Sequence, residues 1–168
     1  MNKGWGNIPK KIGEQQLQLL VSQFPDKPLD WGRCGGLVTS GLSSNPSITP
    51  EFVLANLDKD WDWGSWDGLS RNPSITPELV LATINNPWNW GKSGLSSNPS
   101  ITPEFVLANL DKCWDWNNLS GNPSITPEFV LANLYLPWSW RCGGLSSNPS
   151  ITPDFVRALL IRTGIGVH

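Results

Sequence analysis

The block Leu-Ser-Ser-Asn-Pro-Ser-Ile-Thr-Pro-Glu-Phe-Val-Leu-Ala-Asn-Leu, residues 42–57, returns little changed from Leu69, Leu95, Leu119 and Leu145. Its Asn-Pro pairs begin at Asn45, Asn72, Asn98, Asn122 and Asn148, so the steps are 27, 26, 24 and 26 residues. A period in that range marks an array of small supersecondary units, each too small to bury its own apolar face. In the first four copies a Trp-x-Trp pair follows: Trp61/Trp63, Trp88/Trp90, Trp114/Trp116 and Trp138/Trp140. The second Trp always stands 18 residues after the Asn. All length variation falls in the joints 64–68, 91–94, 117–118 and 141–144. A constant block with variable joints implies a packed face and surface connectors, where insertion is cheap.

The first element of each block follows from local chemistry. Thr49 offers a hydroxyl to an orphan amide of a first helical turn. Pro50 then takes the first helical position, where its missing N–H costs nothing. Glu51 sets a negative charge against the positive end of the helix dipole. Ile48 and Val53 stand where a hydrophobic staple closes across the cap. Upstream, Asn45-Pro46-Ser47-Ile48 spells a β-turn. The second element is expected on the Trp-x-Trp segment, as a short α- or 3₁₀-helix. Pro87 and Pro137 before it and the Gly-rich or Asn-rich joint after it bound that element.

The expected architecture is all-α: an α-solenoid of short helical-hairpin repeats, with capping helices at both ends. The chain of 168 residues divides into an N-terminal arm, 1–13, and one repeat domain, 14–168. Within it lie a capping unit 14–41, repeats 42–68, 69–94, 95–118 and 119–144, and a C-terminal capping unit 145–168. Stacked helices roughly 10 Å apart give an elongated body. Laying Phe24 on Leu57 aligns Leu19, Leu20 and Val21 with Phe52, Val53 and Leu54, and Gln15, Gln16 and Gln18 give that helix a wetter face. At the other end Arg157 replaces the third-position Leu, so that position is expected to be solvated there and buried in the other units. Gly164 is a natural helix stop.

The pattern Leu-Ser-x-Asn-Pro-x-Ile-Thr, Glu-x-Val, Asp-Lys-x-Trp-Asp-Trp, carried best by residues 95–116 and 42–63, resembles repeats found in proteins of large DNA viruses that infect amoebae. The resemblance spans residues 42–160 and implies a scaffold without assigned chemistry. It transfers no site residue. It departs at Thr83 and Ile84, at Tyr135-Leu136-Pro137, and in the missing Trp pair of the fifth unit.

Chemistry is sought and largely excluded. The single His is His168. Cys34, Cys113 and Cys142 lack Cys-x-x-Cys spacing, which argues against zinc, and an odd count with no signal peptide favours reduced thiols in an intracellular setting; the viral resemblance implies host cytoplasm or virion. Glu51, Glu78, Glu104, Glu128 and Asp154 each sit in a first helical turn, which explains them without catalysis. No catalytic, cofactor-binding or metal-binding residue is expected. A net charge of −2 gives no basic surface for nucleic acid, and no long apolar stretch marks a membrane span.

Eleven Trp residues leave two readings. Either they are stacking platforms for carbohydrate or single-stranded nucleic acid, or they are a ladder of core side chains, each burying on the order of 200 Å². The second Trp of each pair, at the invariant distance, is expected to be the more buried. The favoured function is a non-enzymatic scaffold for a protein partner. Tyr135 and Leu136 replace polar residues and are candidate contacts, with the acidic Asp58, Asp60 and Asp62. Short joints between near-identical units also favour a homodimer through an uncapped end or an exchanged unit.

Overall fold

A computed structural model describes residues 14–23, 29–32 and 41–163. Among them every regular element is helical and none is a strand. The α-helices are α1 (Glu14–Gln23), α2 (Pro50–Ala55), α3 (Pro77–Ala82), α4 (Pro103–Ala108), α5 (Trp116–Gly121), α6 (Pro127–Ala132) and α7 (Pro153–Thr163). Between them lie 3₁₀ turns at Gly41–Ser44, Leu69–Arg71, Leu95–Ser97 and Leu145–Ser147. The expected arm over 1–13, Cys34, the Gly164 stop and His168 lie outside the described residues.

The short helices start as the caps dictate. The hydroxyls of Thr49, Thr102, Thr126 and Thr152 accept from the N–H groups of Phe52, Phe105, Phe129 and Phe155, each at 3.3 Å. Pro follows at the first helical position of α2, α3, α4 and α6. Each of these helices stops after six residues. The stop has a cause: the residue after Ala leaves helical geometry and turns its side chain back. Asn56, Asn109 and Asn133 donate to the carbonyls of Phe52, Phe105 and Phe129 at 2.8–2.9 Å. Thr83 does the same to Leu79 at 2.6 Å.

The second element is not where spacing puts it. Trp61–Trp63, Trp88–Trp90 and Trp138–Trp140 are irregular, and the helical turn falls on the following Leu-Ser-x. The reason lies in one backbone bond. The Leu N–H reaches back to the carbonyl of the residue between the two Trp: Leu69 to Asp62 at 2.7 Å, Leu95 to Asn89 at 2.7 Å, Leu145 to Ser139 at 2.8 Å. That bond closes the joint as a loop and leaves the Trp pair outside any helix. The preceding glycine is required by it, since a Cβ on Gly94 would stand 1.9 Å from the Asn89 carbonyl oxygen. At the two-residue third joint, 117–118, the same bond, Leu119 N–H to the Asp115 carbonyl at 2.9 Å, closes a helical turn instead of a loop. There Asp115 caps the turn, accepting from Asn118 N–H at 2.9 Å, and α5 runs from Trp116 straight into Leu119-Ser120.

The core is built from Ile48, Phe52, Val53 and Trp61 of the first unit, Leu69 of the second, and their counterparts down to Leu119, with Trp116 packing both there and on a cluster around Ile125, Val130 and Trp138. The staple pair Ile48 and Val53 is wholly buried. Two expectations about the ends fail. Leu19 is exposed while Val21 packs on the core, so the register laid by Phe24 on Leu57 is shifted. Arg157 is exposed, but Leu54, Leu81 and Leu107 are exposed too. A six-residue helix turns Phe or Leu and Val inward in the first three units, and the next residue there faces out; in the fourth, Leu131 is half-buried against the Ile125–Val130 cluster.

Candidate functional site

A polar lattice fixes each unit on the one before it. The side-chain amide of Asn98 donates to the carbonyls of Ser70, Asn72 and Ile75 at 3.0–3.3 Å. Asn148 does so to Ser120, Asn122 and Ile125 at 2.9–3.0 Å. Asn72 and Asn122 make two such bonds each. The carbonyl oxygen of each Asn side chain accepts the N–H two residues on, closing the Asn-Pro turn. The buried Ser hydroxyls form a second row. Ser96 donates to the Trp90 carbonyl at 2.5 Å and accepts the Asp115 N–H at 2.9 Å. Ser43, Ser70 and Ser120 repeat the arrangement. Among the described residues no buried side-chain polar atom lacks a partner.

The indoles form a third row, and here the burial expectation is overturned. Trp61, Trp88, Trp114 and Trp138, the first of each pair, are buried; Trp63, Trp90 and Trp116 are half-buried and Trp140 is exposed. The first indole N–H donates to the carbonyl five residues back, Trp61 to Asn56 and Trp114 to Asn109, both at 2.8 Å. This tucks the ring under its own helix end. The second indole points to the next unit and meets the edge of that unit's first indole. The centroids are 4.9 Å apart for Trp63–Trp88 and 5.2 Å for Trp90–Trp114. Such edge-to-face pairs add roughly 0.5–1.5 kcal/mol each beyond burial.

The expected contact residues separate. Asp60 and Asp62 line an open groove of about 460 Å³ with Gly32, Trp61, Trp63, Gly64, Ser65 and Pro87. Asp62 is half-buried and accepts the Ser65 N–H at 2.9 Å, which gives it a structural task. Asp58 faces water and pairs with Lys59 at 2.8 Å; the ammonium holds its carboxyl below the usual carboxylate range. Lys59 Nζ stands 6.0 Å from the Trp31 ring, and Lys112 Nζ 5.6 Å from Trp90. Leu136 occupies the same place in the fourth unit. It is buried in the cluster on which Trp116 packs, so it is not an exposed contact. Tyr135 is 73% exposed and remains available.

Sequence reasoning missed a row of exposed apolar residues on the helical side: Leu54 and Leu57, Leu81 and Ile84, Leu107 and Leu110. The signal was present, since these positions stand three apart in every copy. It was masked by the wholly apolar look of the helix. Trp66, in the first joint, was also missed. It is exposed, with the Arg71 guanidinium 4.9 Å from its ring.

Among the described residues no group of His, Cys, Asp or Glu is placed to hold a metal ion. Cys113 and Cys142 are free and exposed. No described helix is long and apolar enough to cross a membrane. Comparison with models of known families finds no match, and neither curated proteins nor solved structures yield one.

Proposed function

We propose that the protein is a non-enzymatic α-solenoid scaffold that binds a protein partner along its helical side, in an intracellular setting. The observation that carries this reading is the recurrence of exposed Leu or Ile at the same two positions in three successive units. Scattered exposed leucines are ordinary; an aligned set is a contact surface in waiting. Glu51, Glu78, Glu104, Asp58 and Asp111 are exposed in the same three units, and Tyr135 is exposed in the fourth. The resemblance to repeats of amoeba-infecting viruses supports the same reading. An enzymatic function has no supporting constellation.

Proximity labelling or pull-down from the native cell tests this with the full chain and with Leu81→Asp/Leu107→Asp. The expected result is loss of a defined subset of partners, with a smaller loss for Tyr135→Ser. An identical partner set for wild type and the double variant overturns it. The second reading, ligand stacking on indoles, is supported by the exposure of Trp66 and Trp140 alone, because the other described indoles pack on one another. Titration of tryptophan fluorescence with glycans and with oligonucleotides decides it, and no quenching by either removes it.

A further inference from the structure

The indoles that reach across the junctions are not equally covered. Trp31 has Phe52 stacked on it at 5.9 Å and Lys59 Nζ 6.0 Å from its centroid. Trp90 has Phe105 stacked on it at 5.8 Å and Lys112 Nζ at 5.6 Å. The arrangement repeats because the backbone does. The N–H groups of Lys59 and Lys112 each donate to the carbonyl three residues back, of Asn56 and Asn109, at 3.1 Å. Each ammonium is also held by the preceding aspartate, Asp58 at 2.8 Å and Asp111 at 3.0 Å. In the fourth unit Leu136 stands at this position, buried in the cluster on which Trp116 packs.

The second unit keeps the backbone and lacks the side chains. Asn86 N–H donates to the Thr83 carbonyl at 3.0 Å, as Lys59 does to Asn56. Yet Asn85-Asn86 replaces Asp-Lys, and Leu79 replaces Phe. Asparagine is far shorter than lysine and uncharged. Trp63 therefore has the edge contact of Trp88 at 4.9 Å but, among the described residues, no cation over its ring. It lines the open groove of about 460 Å³ instead, and Asp60 lines that groove with it. The Asp60 carboxylate is exposed and, among the described residues, has no hydrogen-bond or ion-pair partner. The later units carry Pro87, Cys113 and Pro137 at the place of Asp60. The acid and the uncovered indole thus meet at one junction only.

We propose that the Trp63 groove is a recognition site for a lysine side chain of a partner protein. The face of an indole attracts a cation through its quadrupole, and the Asp60 carboxylate supplies the opposite charge. The fit is one the chain itself makes twice, with Lys59 at Trp31 and Lys112 at Trp90. The partner brings the ammonium that the second unit does not. A single ammonium gains little at an open site, so the isolated group binds weakly, in the millimolar range. None of the exposed leucines lines the groove, so this site stands apart from the helical side and does not depend on it.

Two-dimensional NMR of the full chain, titrated with the tripeptide Gly-Lys-Gly blocked at both ends, tests the proposal through the indole N–H signals. The Trp63 signal is expected to move saturably. Those of Trp31 and Trp90, which already have a lysine, are expected to stay. The same tripeptide acetylated at the lysine Nζ carries no charge and should move none of the three. Asn85→Asp/Asn86→Lys restores the pair found in the neighbouring units and should abolish the response by filling the groove from within. Asp60→Asn should weaken it about threefold. Unchanged helical circular dichroism reports the fold of both variants, and where the double variant loses it, Asp60→Asn carries the comparison. A Trp63 signal that does not move, equal movement with the acetylated tripeptide, or a response retained in full by the folded variant overturns the proposal.

Discussion

The two sides of each unit differ in what they bury. On the turn side, Leu-Ser-x-Asn-Pro packs against its neighbours, with Leu69–Arg71 contacting both Gly41–Ser44 and Leu95–Ser97. Its polar atoms are enclosed and matched: Ser96 and Asn98 are wholly buried. On the helical side, Leu81 and Leu107 are apolar and exposed. The usual assignment of polar outside and apolar inside is thus reversed in part. Directional bonds need fixed geometry, so the turn side sets the spacing and register between units. Apolar contact does not, which leaves the helical side free to vary without disturbing the stack.

The largest test of that contrast is Asn98→Ala. It removes the donor to three carbonyls and the acceptor for Ser100 N–H at 2.9 Å. Orphaned buried groups cost about 1–3 kcal/mol each, so a loss of about 3–5 kcal/mol is expected. Urea unfolding measures it. A loss under about 1 kcal/mol would show that the lattice is decorative.

Next come Gly94→Ala and Ser96→Ala. A Cβ at Gly94 has backbone, not a flexible side-chain end, in its way. Relief requires opening the Leu95–Asn89 bond, at a cost of about 2–3 kcal/mol. Ser96→Ala leaves the Trp90 carbonyl and the Asp115 N–H unpaired, for about 2 kcal/mol. Both should lower the unfolding midpoint, while Leu81→Ser should change stability by about 0.5 kcal/mol or less. A Leu81→Ser variant as damaged as Ser96→Ala would erase the distinction between the two sides.

These differences also explain what could be read from the chain. The Thr-Pro-Glu helix starts are legible because every determinant lies within four residues. The Asn-Pro turn is legible for the same reason. What Asn98 does with its amide is not, since its acceptors lie 23 to 28 residues away. The order of burial within each Trp pair was misread because distance along the chain does not report direction. Trp61 turns back to Asn56, while Trp63 turns forward to Trp88. Leu136 was misread because the cluster that buries it draws Trp116 from the preceding unit. Of the expected contact residues, Tyr135, Asp58 and Asp60 are exposed. The leucine row needed the helix length, which the side-chain amide of the capping Asn decides.

The smallest effect concerns protons on the helical side. In α3 the Thr76 hydroxyl makes no cap bond to the backbone. It donates to the Glu78 carboxylate instead, holding that carboxyl below the ordinary glutamate value. Asp58 and Asp111 are lowered by their bonds to Lys59 and Lys112. A carboxyl whose folded value lies below its unfolded one contributes stability that is complete above the unfolded value. That contribution is lost as pH falls through the folded value. All three groups face water, so solvent screens the contribution and only a shallow acid-side slope is expected. Carboxyl-resolved NMR titration of the full chain gives the sharper readout. Thr76→Val should return Glu78 to the ordinary range and leave Asp111 where it was. A Glu78 that titrates identically in both proteins would mean that the Thr76 hydroxyl caps the helix as its counterparts do, and that the second unit is no exception.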